Sequence, residues 1–164
     1  MKAKDLTLGG ILIALTLVIL YSSSILPIST LTILTLASCL IPICIIRSSV
    51  KTGFLVYIGS TTLGFFIIPI NIIVYYGLFF GVYGIIKYYI ERLRKLSLEI
   101  ILKLIIFNII FIISFTVATL FLGNVVINIP LWLLWLLAQP TFIVFDYALT
   151  LIIGYYLNRF HKVM

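Results

Sequence analysis

Long apolar runs separated by short polar breaks make up almost the whole chain. The runs predict six helices, at about 6–26, 31–46, 53–68, 72–90, 98–122 and 131–158. Because a helix needs about 20 apolar residues to cross a bilayer, each run is long enough, or nearly so, to span one. The predicted fold class is all-α: a polytopic integral membrane protein whose single transmembrane domain, residues 1–164, contains six transmembrane helices.

The breaks between the runs alternate between basic and uncharged. Lysine and arginine occur before the first run, in or beside the second and fourth breaks, and after the last run, at Lys2, Lys4, Arg47, Lys51, Lys87, Arg92, Arg94, Lys95, Lys103, Arg159 and Lys162. The other three breaks carry neither residue. Since cytoplasmic loops are enriched in basic residues, this pattern predicts that both termini are cytoplasmic in a multi-pass protein of a bacterial plasma membrane.

Composition supports the same interpretation of the charge. The chain is 64% hydrophobic and 9% charged, whereas soluble domains average about 45–50% and about 25%. In a soluble protein the net charge of +7 would suggest a nucleic-acid partner. Here the alternation of basic breaks accounts for it, so membrane lipid and not nucleic acid is the expected environment.

Enzyme signatures are lacking, and we expect no catalysis, cofactor or metal site. The sequence has no H-E-x-x-H, G-x-S-x-G or P-loop motif. Of its four acidic residues only Asp146 lies deep in an apolar run, so one chain cannot form an intramembrane aspartyl dyad. Cys39 and Cys44, five residues apart in the second run, are interpreted as small apolar side chains.

Two i,i+4 pairs lie in the fourth break. Lys87 is followed by Glu91, and Glu91 by Lys95. Because such pairs support a helix, the fourth helix is predicted to continue beyond the bilayer.

Small residues recur at spacings that permit close helix contact. Gly77, Gly81 and Gly84 in the fourth run, and Ser60-x-x-x-Gly64 in the third, predict packing within the bundle. Near the start of the first run, Gly10-x-x-x-Ala14 fits either internal packing or contact with another membrane protein. The two alternatives remain open from the sequence.

The last helix has a polar and aromatic stripe. At 100° per residue, one face about 80° wide carries Trp132, Trp135, Gln139, Phe142, Asp146 and Thr150. A carboxylate facing lipid is costly, so the stripe predicts a face toward the protein interior or a wet cavity. Aromatic walls with a few polar groups are typical of small-molecule sites.

Alternative interpretations exist for the same residues. The two tryptophans fit an interfacial aromatic belt, and Asp146 fits an ion pair with Lys103, a protonated group bonded to a tyrosine, or a substrate contact. Asn71, Tyr75, Asn108, Asn124 and Asn128 are further polar groups for an outer cavity. The candidate substrate-binding set is Trp132, Trp135, Gln139, Asp146, Asn71 and Tyr75.

The overall plan resembles the substrate-binding S component of energy-coupling factor vitamin transporters: a small, basic, six-helix protein with both ends inside and a small-x-x-x-small motif in the first helix. The resemblance implies that Gly10 and Ala14, where the family has two alanines, contact a transmembrane coupling subunit that works with two ATPase subunits. It also implies a small-molecule substrate bound near the outer face, at the Trp132–Gln139 end of the stripe.

Two other classes fit the size and helix count. One is a structural membrane subunit similar to the rod-shape-determining scaffold proteins of cell-wall synthesis complexes. The other is a small stand-alone transporter that uses Asp146 as a proton carrier. The sequence does not identify a substrate.

Overall fold

The computed structural model describes residues 3–25, 29–93, 95–122 and 130–160, and in these ranges every regular element is helical. The helices are α1 (Ala3–Ile25), α2 (Thr30–Arg47), α3 (Val50–Ile67), α4 (Ile70–Tyr75), a π-helical turn (Tyr76–Phe80), α5 (Gly81–Glu91), α6 (Leu96–Leu122) and α7 (Leu131–Phe160).

Six helices are long and apolar enough to cross a membrane, with α4, the π turn and α5 forming one continuous fourth span, Ile70–Glu91. This indicates a multi-pass membrane protein. The prediction of an all-α fold with six such helices is confirmed for the described residues. Most of the predicted fifth break, residues 123–129, lies outside them.

The fourth helix ends one residue beyond its predicted end at residue 90, and its continuation beyond the bilayer stays a prediction. The helix ends at Glu91, and the amide of Leu93 bonds to the carbonyl of Ile90, 3.0 Å away, in a tight turn. The Lys87–Glu91 ion pair forms, with Nζ and Oε1 2.8 Å apart. The second pair spans the turn between two helices, where i,i+4 spacing no longer places side chains on one face.

The chain divides into two compact units, Met1–Arg94 and Lys95–Met164. In the first unit, α3 packs through a face of mostly small residues and exposes large apolar ones, although large side chains such as Tyr76 and Tyr83 are buried elsewhere in the unit. On α3 the buried residues are Thr52, Gly53, Val56, Ser60 and Gly64, whereas Phe54, Leu63, Phe65 and Phe66 are exposed. This distribution suits lipid, in which close backbone approach and not burial of large apolar groups holds helices together.

Two buried hydroxyl groups of α1 and α3 bond to backbone carbonyls of their own helices. Thr16 donates to the carbonyl of Leu12 and Ser60 to that of Val56, each over 2.7 Å. Such bonds let a hydroxyl be buried without leaving an unsatisfied polar group. Polar residues can therefore occupy the packed faces of α1 and α3.

Helix α2 contains Pro42, which cannot provide the amide that would bond to the carbonyl of Ser38. Helix α5 packs against this position through Gly84. A Cβ atom on Gly84 would lie 3.2 Å from the Ser38 carbonyl oxygen and 3.0 Å from Cδ of Pro42. Only glycine lets the two helices approach this closely.

The second unit consists of α6 and α7, which contact each other through long side chains. Phe107 on α6 stacks on Phe142 of α7, with ring centroids 4.2 Å apart and planes 13° from parallel. Polar pairs flank the stacked rings, and they form the candidate site described below.

The close α2–α5 approach predicts that Gly84→Ala destabilises the protein. The added methyl group meets backbone and a proline ring, so we expect a loss of about 1–3 kcal/mol, measured as a lower midpoint of thermal unfolding in detergent. Gly154→Ala on α7 is the matched control, since a Cβ there has nothing within 4 Å and alanine favours helix by up to about 1 kcal/mol. Equal midpoints for the two variants would contradict the close packing.

Candidate functional site

The carboxylate in the last span has a cationic partner on the neighbouring helix. Nζ of Lys103 lies 2.8 Å from Oδ2 of Asp146, and their side chains are only 10% and 18% exposed. Lys103 is at the start of the most apolar run of α6, and Asp146 is in the middle of α7. Two groups that would each be costly alone in an apolar medium neutralise each other here.

Asn108 is the centre of a second polar cluster between the same two helices. Its Oδ1 accepts bonds from Nε1 of Trp135 at 2.7 Å and from Nε2 of Gln139 at 3.0 Å. Its Nδ2 donates to the carbonyl of Leu104 at 2.8 Å and more weakly to Oε1 of Gln139 at 3.4 Å. One asparagine thus orients an indole and an amide from α7.

The order of contacts follows from the antiparallel pairing of α6 and α7. Moving along α7 from its N-terminal end, the interface contains Trp135 and Gln139 with Asn108, then Phe142 stacked on Phe107, and then the ion pair of Asp146. The polar groups at its two ends are separated by apolar rings. The interface can therefore offer hydrogen bonds at one end and charge at the other.

The structure brings together only part of the predicted stripe. Gln139, Phe142 and Asp146 face α6, as their contacts show. Trp132 is 68% exposed and Trp135 47% exposed, and Thr150 is exposed with its hydroxyl bonded to the carbonyl of Asp146 at 2.9 Å. A stripe 80° wide is broader than the line of contact with one neighbouring helix, so its margins remain uncovered.

Asn108 was underestimated by sequence reasoning, which treated it as one of several polar groups. The signal was present, because it is the one polar residue in the run "LIIFNIIFII", residues 104–113. A lone amide in such a run needs an internal partner. The sequence did not reveal that Gln139 and Trp135 supply it.

Asn71 and Tyr75 belong to the first unit. Both lie on α4 and are exposed, and the adjacent Ile72 and Ile73 are buried. Their side chains are therefore on the surface of the fourth span. The structure does not test their predicted role in substrate binding.

Adjacent glycines on α1 have opposite environments. Gly9 is buried, and a Cβ there would lie 3.3 Å from Cγ2 of Thr52 on α3. Gly10 and Ala14 are exposed, and a Cβ on Gly10 would meet nothing within 4 Å. Internal packing thus uses Gly9 and leaves Gly10 and Ala14 available.

A groove of about 200 Å³ lies between α1 and α3 beside Gly10, and Asp5, Leu6, Gly9, Gly10, Ile13, Thr52 and Leu55 line it. Hydroxyl groups hold one end of the groove. Ser48 donates to Oδ1 of Asp5 at 2.7 Å and lies 2.9 Å from the hydroxyl of Thr52. The start of α1 is thereby fixed to the turn between α2 and α3.

No known protein family, no curated protein and no solved structure matches this chain. Functional inference therefore depends on the geometry of the two units.

The ion pair predicts a stability effect that can be separated from binding. Asp146→Asn removes the carboxylate that lies 2.8 Å from the ammonium of Lys103 in an apolar environment, so we expect a loss of roughly 3 kcal/mol, seen as a lower unfolding midpoint in detergent. Adding Lys103→Met removes the stranded charge and should restore much of the stability.

Thr141→Val on the same helix is the control, because that hydroxyl is exposed and bonds to the carbonyl of Leu137 in its own helix, 2.9 Å away. It should leave the midpoint nearly unchanged. If Asp146→Asn unfolds at the wild-type temperature, the pair does not stabilise the α6–α7 interface, and the double variant should then show no recovery.

Proposed function

We propose that the chain is the substrate-binding membrane subunit of a micronutrient importer of the energy-coupling factor type, in a bacterial plasma membrane with both termini cytoplasmic. In this role it binds a small molecule and docks on a transmembrane coupling subunit that is driven by two ATPase subunits. The resemblance of the six-span plan suggests this class, and contacts in both units support it.

The observation that carries the proposal is the exposed small-residue surface of α1. Gly10 and Ala14 lie one helical turn apart on a face that the packing of the first unit does not use. The groove beside Gly10 makes that surface concave. Because helix association in lipid depends on close approach at small residues, a second membrane helix fits here.

The second unit supplies groups for a ligand. Trp132 and Trp135 present exposed indole rings at the N-terminal end of α7, and Asn108 and Gln139 provide amide donors and acceptors beside Trp135. Stacking surfaces next to amides suit a planar molecule with a polar edge. In this proposal Asp146 connects α7 to α6 through its ion pair with Lys103 and does not itself contact the substrate.

A structural scaffold subunit is the second candidate, and one observation favours it. The Asn108 amide and the Lys103–Asp146 pair all bond to groups within the same unit. Polar residues that satisfy each other across two helices also occur where a membrane bundle only needs stability. The two candidates differ in whether ATPase subunits accompany the protein.

Co-purification tests the proposal. Wild-type protein extracted from its native membrane in mild detergent should carry an ATP-hydrolysing complex with it, and Gly10→Leu should lose that complex while keeping its own unfolding midpoint. Leucine fills the open space over Gly10 and prevents close approach of a partner helix.

Two glycine variants provide controls for this test. Gly154→Leu adds the same side chain at an open position of α7 and should keep the complex. Gly9→Leu adds it where α1 packs on α3 and should lower the unfolding midpoint itself. Wild-type protein that purifies without any ATPase activity would favour the scaffold candidate.

The proposed topology predicts opposite labelling of alternate breaks. In a background with Cys39 and Cys44 replaced by alanine, cysteines at Lys51 and Ser97 should react with a membrane-impermeant maleimide only after the cells are opened. Cysteines at Ser29 and Asn71 should react in intact cells. A single position labelled from the wrong side would contradict the six-span orientation.

A further inference from the structure

The π turn changes the hydrogen-bond register in the fourth span. The amide of Gly81 donates to the carbonyl of Tyr76, five residues earlier. In an α-helix the same amide would donate to the carbonyl of Gly77. The turn therefore takes from Gly77 its ordinary donor, in a helix whose neighbours bury both residues.

A hydroxyl from α3 replaces that donor. Tyr57 donates to the carbonyl of Gly77 over 2.8 Å. A second hydroxyl, that of Ser38 on α2, donates to the carbonyl of Phe80 over 2.6 Å. The turn is thus held from two neighbouring helices, and the bond of Tyr57 is made to the carbonyl that the changed register deprives of its amide.

Gly81 is shaped for this contact. A Cβ on Gly81 would lie 2.7 Å from Cδ2 and 2.9 Å from Cε2 of Tyr57, so the phenol ring lies directly against the helix backbone there. Any larger residue would push the ring away from Gly77. The position of the Tyr57 ring therefore depends on the absence of a side chain at Gly81.

The present register nevertheless leaves one polar group unsatisfied. Thr61, one turn beyond Tyr57 on α3, has a buried hydroxyl oxygen with no hydrogen-bond partner among the described residues. A Cβ on Gly77 would lie 3.0 Å from Cγ2 of Thr61, so this group borders the turn. Buried polar groups are nearly always paired, so the unpaired hydroxyl of Thr61 raises the free energy of the π register.

We propose that residues Tyr76–Phe80 switch between two hydrogen-bond registers, and that the Tyr57 hydroxyl holds the π register. In one register Tyr57 bonds to the carbonyl of Gly77. In the other the amide of Gly81 returns to that carbonyl, as in an α-helix, and the hydroxyl of Tyr57 is released.

The switch would turn the preceding segment about its axis. A π turn contains one residue more than the α turn that it replaces, so its loss rotates Ile70–Tyr75 by about 100° and moves it by about 1.5 Å along the axis. Ile72 and Tyr76 then take the positions that Asn71 and Tyr75 hold. Tyr76 also leaves Ser60, whose hydroxyl is 3.2 Å from its own.

The switch gives the fourth span a way to respond to a ligand. A molecule that contacts Asn71 or Tyr75 in only one register binds that register more tightly and shifts the balance toward it. This last step rests on the proposed function, whereas the two registers themselves do not.

Thiol labelling at position 72 measures the register. In the background without native cysteines, a cysteine replacing exposed Asn71 should react quickly with maleimide and one replacing buried Ile72 slowly. Tyr57→Phe leaves the carbonyl of Gly77 without a donor in the π register, so we expect the rate at position 72 to rise about tenfold. Tyr89→Phe, at an exposed tyrosine of α5, should leave both rates unchanged.

Deletion of Leu78 removes the extra residue and provides a test that does not need Tyr57 to be changed. The amide of Gly81 then donates to Tyr76 in an α-helical register, four residues earlier in the shortened chain, so Ile70–Tyr75 keeps the orientation that it has beside the π turn. Position 72 should therefore react more slowly than in the full-length protein, in which the second register exposes it part of the time, and Tyr57→Phe added to the deletion should not raise its rate. Unchanged labelling at position 72 in folded Tyr57→Phe protein would overturn the proposal. So would a position 72 that reacts as fast in the deletion variant as in the full-length protein, or faster, and this measurement also decides the matter if Tyr57→Phe fails to fold.

These measurements use the protein alone and without ligand. Their result does not depend on whether an ATPase complex co-purifies with the protein. A fast position 72 in Tyr57→Phe and a slow one in the deletion variant, together with wild-type protein that carries no ATPase, would support the switch and contradict the importer.

Discussion

A backbone carbonyl that loses its amide donor inside an apolar helix needs another hydrogen-bond donor or must be covered by a neighbouring helix, because lipid offers no hydrogen-bond donor. The first unit depends on this constraint at two places. Pro42 frees the carbonyl of Ser38, and Gly84 of α5 packs directly against it. The π turn frees the carbonyl of Gly77, and Tyr57 supplies a hydroxyl. At both places a helix irregularity coincides with a contact to a neighbouring helix.

The two units hold their helices together with different side chains. The first unit uses small residues on the packed face of α3, next to large buried side chains such as Tyr76 and Tyr83 of the fourth span. The second uses stacked phenylalanines, an amide cluster and an ion pair to connect α6 and α7. Long polar side chains leave exposed edges, such as the indole of Trp135, that small residues cannot offer. These exposed edges support the proposed ligand contacts of the second unit, and the exposed small residues of α1 support the proposed docking of a helix.

Hydrophobic run length was sufficient to predict the helices, since each apolar segment had one possible structure in a bilayer. The fourth helix ends at Glu91, beside its predicted end at 90, and the i,i+4 charge spacing beyond it is equally compatible with a helix and with a turn between two helices. The π turn could not be predicted, because the donor that makes it possible, Tyr57, is 20 residues away from Gly77. The periodicity of hydrophobic residues describes one helix at a time, whereas a contact such as the Tyr57–Gly77 bond depends on two helices.

The same limit applies to the candidate site. A helical wheel placed Gln139, Phe142 and Asp146 on one face, and their contacts with α6 agree with that placement. It could not distinguish the line of contact from its margins, where Trp132 is exposed. Lys103 was one of three partners considered for Asp146, and only the pairing register of α6 and α7 selects it.

The chain contains two tryptophans, Trp132 and Trp135, and both lie in the first two turns of α7. Emission that is excited at wavelengths absorbed by tryptophan and not by tyrosine therefore originates at one end of the second unit. With Trp132 replaced by phenylalanine, the remaining indole is that of Trp135, which donates to Asn108. Its wavelength of maximum emission depends on that bond and on the polarity around the ring. The protein thus carries a built-in optical probe of its amide cluster, which follows events there without an attached dye.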